Sequence, residues 1–189
     1  MNRWAGVDVG GPGKGFHVAV VDAIRLVDAA AGIASADRVA AWLGRRRPAI
    51  VAVDGPRAWA SPGERSRACE REFARARVCA IRYTPARALA EGNEYYDWIR
   101  CGLALYDALA GASWLIIECF PTASWTRWGG PRKGETRARW SERVLRGRGL
   151  GAVPTRLDQD ERDAIGAALT ARAWARGEAR AFGDLVVPR

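Results

Sequence analysis

Two short apolar runs in this chain each deliver an aspartate beside glycine. Ala5-Gly6-Val7-Asp8-Val9 leads into Gly10-Gly11, and Ile50-Val51-Ala52-Val53-Asp54 leads into Gly55-Pro56. Runs of small and β-branched residues bounded by glycine and proline read as buried strands. A carboxylate at the end of such a strand, beside a glycine that lets a ligand come close, suits an α/β site for metal ions or phosphates. A third run, Trp114-Leu115-Ile116-Ile117-Glu118, ends in the same way, and a late helix opens with Asp158, Asp160, Glu161 and Asp163.

The remaining elements fall around these strands. Residues 4–9 and 16–22 read as a hairpin joined by the glycine-rich turn at 10–15, with a short third strand at 24–27. Ser35 caps a helix running to about Arg46, which Pro48 ends before the strand at 49–54. Residues 55–63 form a loop. A helix from Glu64 to about Arg77, a short strand at 78–83 and a helix over 97–111 follow. Next comes the strand at 113–118, which Pro121 breaks. Helices at 135–146 and 159–176 and a small terminal strand at 184–187 complete the chain. A hairpin followed by alternating helices and strands predicts an α/β fold. Its mixed sheet has an antiparallel edge and a parallel centre, flanked by helices. The 189 residues, 49% hydrophobic and 27% charged, suit one globular domain over 1–189 without an internal repeat.

If the first and fourth strands are parallel neighbours, Asp8 and Asp54 leave the sheet at one edge, where open α/β sheets bind ligands. Carboxylates this close repel and call for a cation between them. Magnesium takes a few carboxylate oxygens together with water and phosphate. Two such ions about 3.5–4 Å apart can activate water and hold the leaving oxygen in phosphodiester cleavage. Asp160 and Asp163 share a helix face, and small residues at Ala164, Ala167, Ala168 and Ala171 let that helix lie close to the sheet. Duller readings stand beside each acid. Asp158 with Glu161 fits a capping pair, Asp54-Gly55-Pro56 and Asp8 fit turn chemistry, and Glu118 fits a structural ion pair with arginine.

Net charge is +9, and Lys14 and Lys133 are the only lysines among the 30 basic residues. A basic surface favours a polyanion such as nucleic acid, although arginine-rich composition produces solvated faces as well. Arg67, Arg71 and Arg75 recur at helical spacing and suit a phosphate backbone or a solvated face. Trp125, Trp128 and Trp140 alternate with arginines over 125–148, as stacking platforms or as core residues. Lys14 is placed to reach phosphate near Asp8. The turn around it is neither a P-loop nor a dinucleotide-binding loop, because a strand follows it. The four cysteines at 69, 79, 101 and 119 lack zinc-site spacing and read as buried thiols. The single histidine, His17, reads as structural, and no nucleophilic triad is visible. No run is long enough to span a membrane and the start lacks a secretory layout, so the expected location is the cytoplasm.

These residues resemble a known family. Val7-Asp8, a glycine and lysine turn, Gly15-Phe16 and then Val53-Asp54-Gly55-Pro56 are similar to the predicted nucleases of domain-of-unknown-function family 429. Arg67-Ala68-Cys69-Glu70, Arg82-Tyr83-Thr84-Pro85, Glu118-Cys119-Phe120-Pro121 and Asp160-Glu161-Arg162-Asp163-Ala164-Ile165 resemble its further motifs in order. The resemblance runs from about residue 5 to 176, with a first turn slightly longer than the family's and carrying Gly11-Pro12-Gly13. It implies an RNase H-like fold related in layout to Holliday-junction resolvases. It also implies catalytic acids at Asp8, Asp54 and Asp163, with Glu118 and Asp160 as further metal ligands, and Mg2+ or Mn2+ as cofactor. Nucleic acid would be the substrate, held by Lys14, Arg67 and Arg71. The expected function is a metal-dependent nuclease, with oligomeric state open and a homodimer included. Two rivals remain: a nucleic-acid-binding protein of this fold without catalysis, and an actin-like phosphotransferase, for which 189 residues are few.

Overall fold

A computed structural model describes residues 2–189. Seven strands form one sheet: β1 (Trp4–Val9), β2 (Phe16–Val21), β3 (Leu26–Ile33), β4 (Ile50–Asp54), β5 (Leu115–Cys119), β6 (Ala179–Phe182) and β7 (Leu185–Pro188). Their order is β3-β2-β1-β4-β5-β7-β6. β1, β4, β5 and β7 run parallel through the centre, while β2 and β3 on one side and β6 on the other are antiparallel. The mixed α/β sheet therefore has the antiparallel edge and parallel centre expected from the element order, and gains a second antiparallel edge from β6.

Seven helices cover it: α1 (Ala36–Gly44), α2 (Ala68–Arg75), α3 (Arg87–Ala90), α4 (Asp97–Leu109), α5 (Pro121–Gly129), α6 (Arg137–Gly147) and α7 (Gln159–Ala175). Successive strand residues point to opposite faces. Ala5, Val7, Val51 and Val53 pack under α1 and α4 with Val39, Leu43, Leu105 and Leu109. Trp4, Ile50 and Ala52 pack under α7 with Ala164, Ala168 and Ala171, joined by Trp125 of α5 and Leu145 of α6. Residues 8 and 54 continue the α7 parity, so both acids leave the sheet beneath α7.

Gly6 sets how close α7 comes. A Cβ there would lie 2.1 Å from the Ala168 amide nitrogen and 2.2 Å from the Ala164 carbonyl oxygen. Only a strand residue without a side chain, facing a helix stripe of alanines, permits that approach. The α7 N-terminus carries the expected capping box between Asp158 and Glu161, with Asp158 Oδ1 accepting from the Glu161 amide at 2.8 Å. Those two acids are therefore occupied in starting the helix.

Several local expectations change. Pro121 opens α5 rather than only ending β5, since its missing N–H is harmless in a first helical turn. Residues 78–83 form no strand, and the helix expected from Glu64 begins only at Ala68. β3 extends to Ile33, eight residues in all, beyond the four at 24–27. Ser35 caps α1 as expected. All four cysteines are free. No helix among the described residues is long and apolar enough to cross a membrane.

Replacing Gly6 with alanine forces the strand and α7 apart. We expect Gly6→Ala to destabilise the protein by about 3 kcal/mol or more in urea unfolding, at the upper end of overpacking costs. Gly147→Ala, where an added Cβ meets nothing within 4 Å, serves as the control.

Candidate active site

The carboxyl ends of β1 and β4 open into a cleft of about 600 Å³ lined by Asp8, Asp54, Asp160, Asp163, Lys14, Arg82 and Arg137 among others. Asp8 pairs across the parallel ladder with Asp54, which puts both on one face at the same level. α7 supplies Asp160 and Asp163 from above. Two strand acids and two α7 acids more than 100 residues further along the chain thus meet in one cleft, and the approach at Gly6 brings them there.

Their electrostatics follow from that crowding. Burial, and then the charges of Asp54, Asp163 and Asp160, push Asp8 up to about 9, while Arg137 works against the rise. Burial and the charge of Asp163 push Asp54 up to about 8, opposed by Arg137 and by a hydrogen bond from Asp8. The two carboxyls lie close enough for their titrations to be linked. Burial also raises Asp163, which Arg137, Trp125 and Gln159 counteract.

Asp163 is 1% exposed and fully engaged. Its Oδ1 accepts from Trp125 Nε1 at 2.8 Å, and its Oδ2 accepts from Arg137 at 2.7 Å and from Gln159 Nε2 at 3.0 Å. Trp125 reaches this position because Gly166 leaves room for its ring, 2.5 Å from where a Cβ would stand. The three tryptophans of 125–148 take core and rim places. Trp125 and Trp140 are buried, and Trp128 lies beneath Arg148 at 4.9 Å. Lys14 Nζ meets Asp160 Oδ2 at 2.7 Å, so the lysine does face the acids from the glycine turn.

Glu118 lines the same cleft, but its carboxylate is engaged by an arginine. β5 pairs Val53 with Glu118 and Asp54 with Cys119, so Glu118 has the opposite parity from Asp54. Its carboxylate is buried against Arg67, which donates from Nη1 at 2.7 Å and also from Nη2, and it accepts from the Arg57 amide at 2.8 Å. The guanidinium of Arg67 also binds Glu70 at 2.9 Å. Arg67 borders the cleft, yet its donors are spent on two carboxylates rather than left for phosphate. Arg71 lies outside the cleft, bonded to Glu64 at 3.0 Å. Arg137, within the basic stretch of 125–148, is the arginine that reaches the acids. His17 stands directly across the hairpin from Asp8. A ring nitrogen of His17 and one carboxylate oxygen each from Asp8 and Asp160 lie within 4.8 Å of one another.

The family described as "Protein of unknown function (DUF429)" matches residues 6–186. The chain belongs to that family. No curated protein matches the sequence. Among solved structures, this DUF429 chain is similar to RuvC of Thermus thermophilus. The identity is 18% and the TM-score 0.55, over 93% of this chain and 96% of that one. The same protein in complex with a Holliday junction substrate matches at 19% identity and TM-score 0.59, over 94% and 96%. These likenesses establish an RNase H-like fold for the DUF429 chain, in agreement with the sequence resemblance.

Two predictions follow from the charges. An unfolded aspartate loses its proton near pH 3.9. Folded Asp8 and Asp54 keep theirs to about 9 and about 8. Above the unfolded value the folded chain therefore binds more protons than the unfolded one, and stability falls as pH rises through this window. Without added metal, the thermal midpoint of wild type should drop between pH 5 and 9 more steeply than that of Asp8→Asn. Separately, Arg67→Met strands Glu118 and Glu70 in a dry interior, and should cost about 3–5 kcal/mol in denaturant unfolding.

Proposed function

We propose that the protein is a divalent-metal-dependent nuclease hydrolysing phosphodiester bonds of nucleic acid. The observation that carries this reading is the meeting of Asp8, Asp54, Asp160 and Asp163 at the carboxyl ends of neighbouring parallel strands. Nothing in packing requires four acids to crowd there, and their mutual repulsion is costly unless a cation relieves it. The residues fit magnesium or manganese, which bind carboxylate oxygens and retain positions for water and phosphate. When bound, such ions activate a water molecule and stabilise the leaving oxygen.

The chain's own residues divide the remaining work. Asp8 and Asp54, once deprotonated, would hold the cation. Asp163, oriented by Trp125 and Gln159, and Asp160 would add oxygens from α7. Lys14 and Arg137 each lean on one acid and expose the rest of their side chains to the cleft. A substrate phosphate entering beside them exchanges a carboxylate for a phosphate partner, which orients the backbone without reading sequence. Glu118 and Arg67 fix the end of β5 and the loop after β4, and so support the cleft wall.

The relative captured with a Holliday junction makes branched DNA the first substrate to assay. Labelled branched DNA, linear DNA and RNA should be incubated with Mg2+ or Mn2+. Wild type should cleave at least one of them, and Asp8→Asn and Asp54→Asn should fall to background while keeping the native circular dichroism. Cleavage that persists in Asp8→Asn removes that residue from the mechanism. The ion pairs already made by Asp160 and Asp163 favour a second reading, a binding protein without catalysis. Salt-sensitive binding with no cleavage in any divalent ion would support it. The cytoplasmic location belongs to the same reading, as the compartment where a DNA- or RNA-directed enzyme meets its substrate.

A further inference from the structure

We infer that His17 is a nitrogen ligand to a metal ion shared with Asp8 and Asp160, which would make one position of this site favour manganese over magnesium. The inference rests on the nuclease reading for the existence of a metal, and adds a donor which that reading does not contain.

Three observations carry it. First, His17 pairs directly with Asp8 across the hairpin, so both side chains leave the sheet on the α7 face. A ring nitrogen, an Asp8 oxygen and an Asp160 oxygen lie within 4.8 Å of one another. Two ligands of one six-coordinate ion sit about 3–4.2 Å apart at metal–ligand distances near 2.1 Å, so small side-chain movements close the shell. Second, His17 is 7% exposed and its Nδ1 has no hydrogen-bond partner. A buried polar nitrogen left unpaired is costly in a native protein and marks a missing partner. Third, the pairing of β2 with β3 slips between Phe16 and Val18, setting Ala31 and Gly32 opposite His17. Gly32 has φ +64°, the left-handed geometry of a glycine bulge. Bulges of this kind re-aim a neighbouring side chain and cluster at functional sites.

His17 also borders a second cavity of about 210 Å³ with Pro154, Leu157 and Glu161. Asp160 keeps one oxygen on Lys14 and offers the other. Imidazole is a poor ligand for magnesium and a better one for manganese and later divalent ions, so the mixed oxygen and nitrogen set selects between them.

Because the chain has one histidine, the test is unambiguous. Untagged full-length protein is loaded with one equivalent of Mn2+ and its electron spin echo modulation is recorded, with natural-abundance and 15N-labelled histidine. The expected result is a directly bound imidazole nitrogen that shifts with the label and disappears in His17→Phe. Titration should show His17→Phe binding Mn2+ about tenfold or more weakly, with Mg2+ affinity little changed. The wild-type spectrum decides even if His17→Phe does not fold. Mn2+ bound in an Asp8-dependent way without imidazole coupling overturns the role of His17 and leaves the nuclease reading standing. No Asp8-dependent binding of either ion overturns both.

Discussion

The contact of α7 with β1 at Gly6 is the constraint on which the site depends. A helix laid on a sheet normally stands off by the length of the intervening side chains. Here the strand offers a bare Cα and the helix offers Ala164, Ala167 and Ala168, so backbone meets backbone. That approach, combined with the parallel register of β1 and β4, turns acids at positions 8, 54, 160 and 163 into neighbours.

The second organising fact is how the protein tolerates this concentration of carboxylate. It uses three devices. Asp8 and Asp54 hold protons well above the usual carboxylate range, Asp160 and Asp163 borrow charge from Lys14 and Arg137, and Asp163 takes neutral hydrogen bonds from Trp125 and Gln159. Each is reversible: a divalent cation can replace the proton, and a phosphate can draw off the lysine and arginine. Glu118 lines the same cleft but is engaged by Arg67, in a buried pair whose loss would leave an uncompensated charge.

Much of this was legible in the chain. The strand ends at Asp8 and Asp54, the hairpin, the capping pair at Asp158 and Glu161 and the alanine stripe of α7 all carry local signals, and all appear as read. The assignments that changed turn on register. Glu118 enters the cleft from the other face parity, because side chains alternate and Cys119, not Glu118, sits beside Asp54. Arg71, one turn along α2 from Arg67, ends on Glu64 instead of on the buried carboxylates. His17 did leave a trace: a turn closed by Gly10 and Gly15 fixes 8 opposite 17. Gly6 left one also, as a glycine inside a buried strand.

By itself the sequence determined the alternating apolar pattern, the positions of the strand-ending acids and the family, since these depend on residue order over short spans. The tertiary structure decided which acids share a cleft, which cation compensates each, and that Arg137 rather than Arg67 faces them. Those outcomes depend on strand register and on the distance between a helix and a sheet. Both are set by contacts between segments distant in the chain, where a shift of one residue or a single methyl group reverses the result.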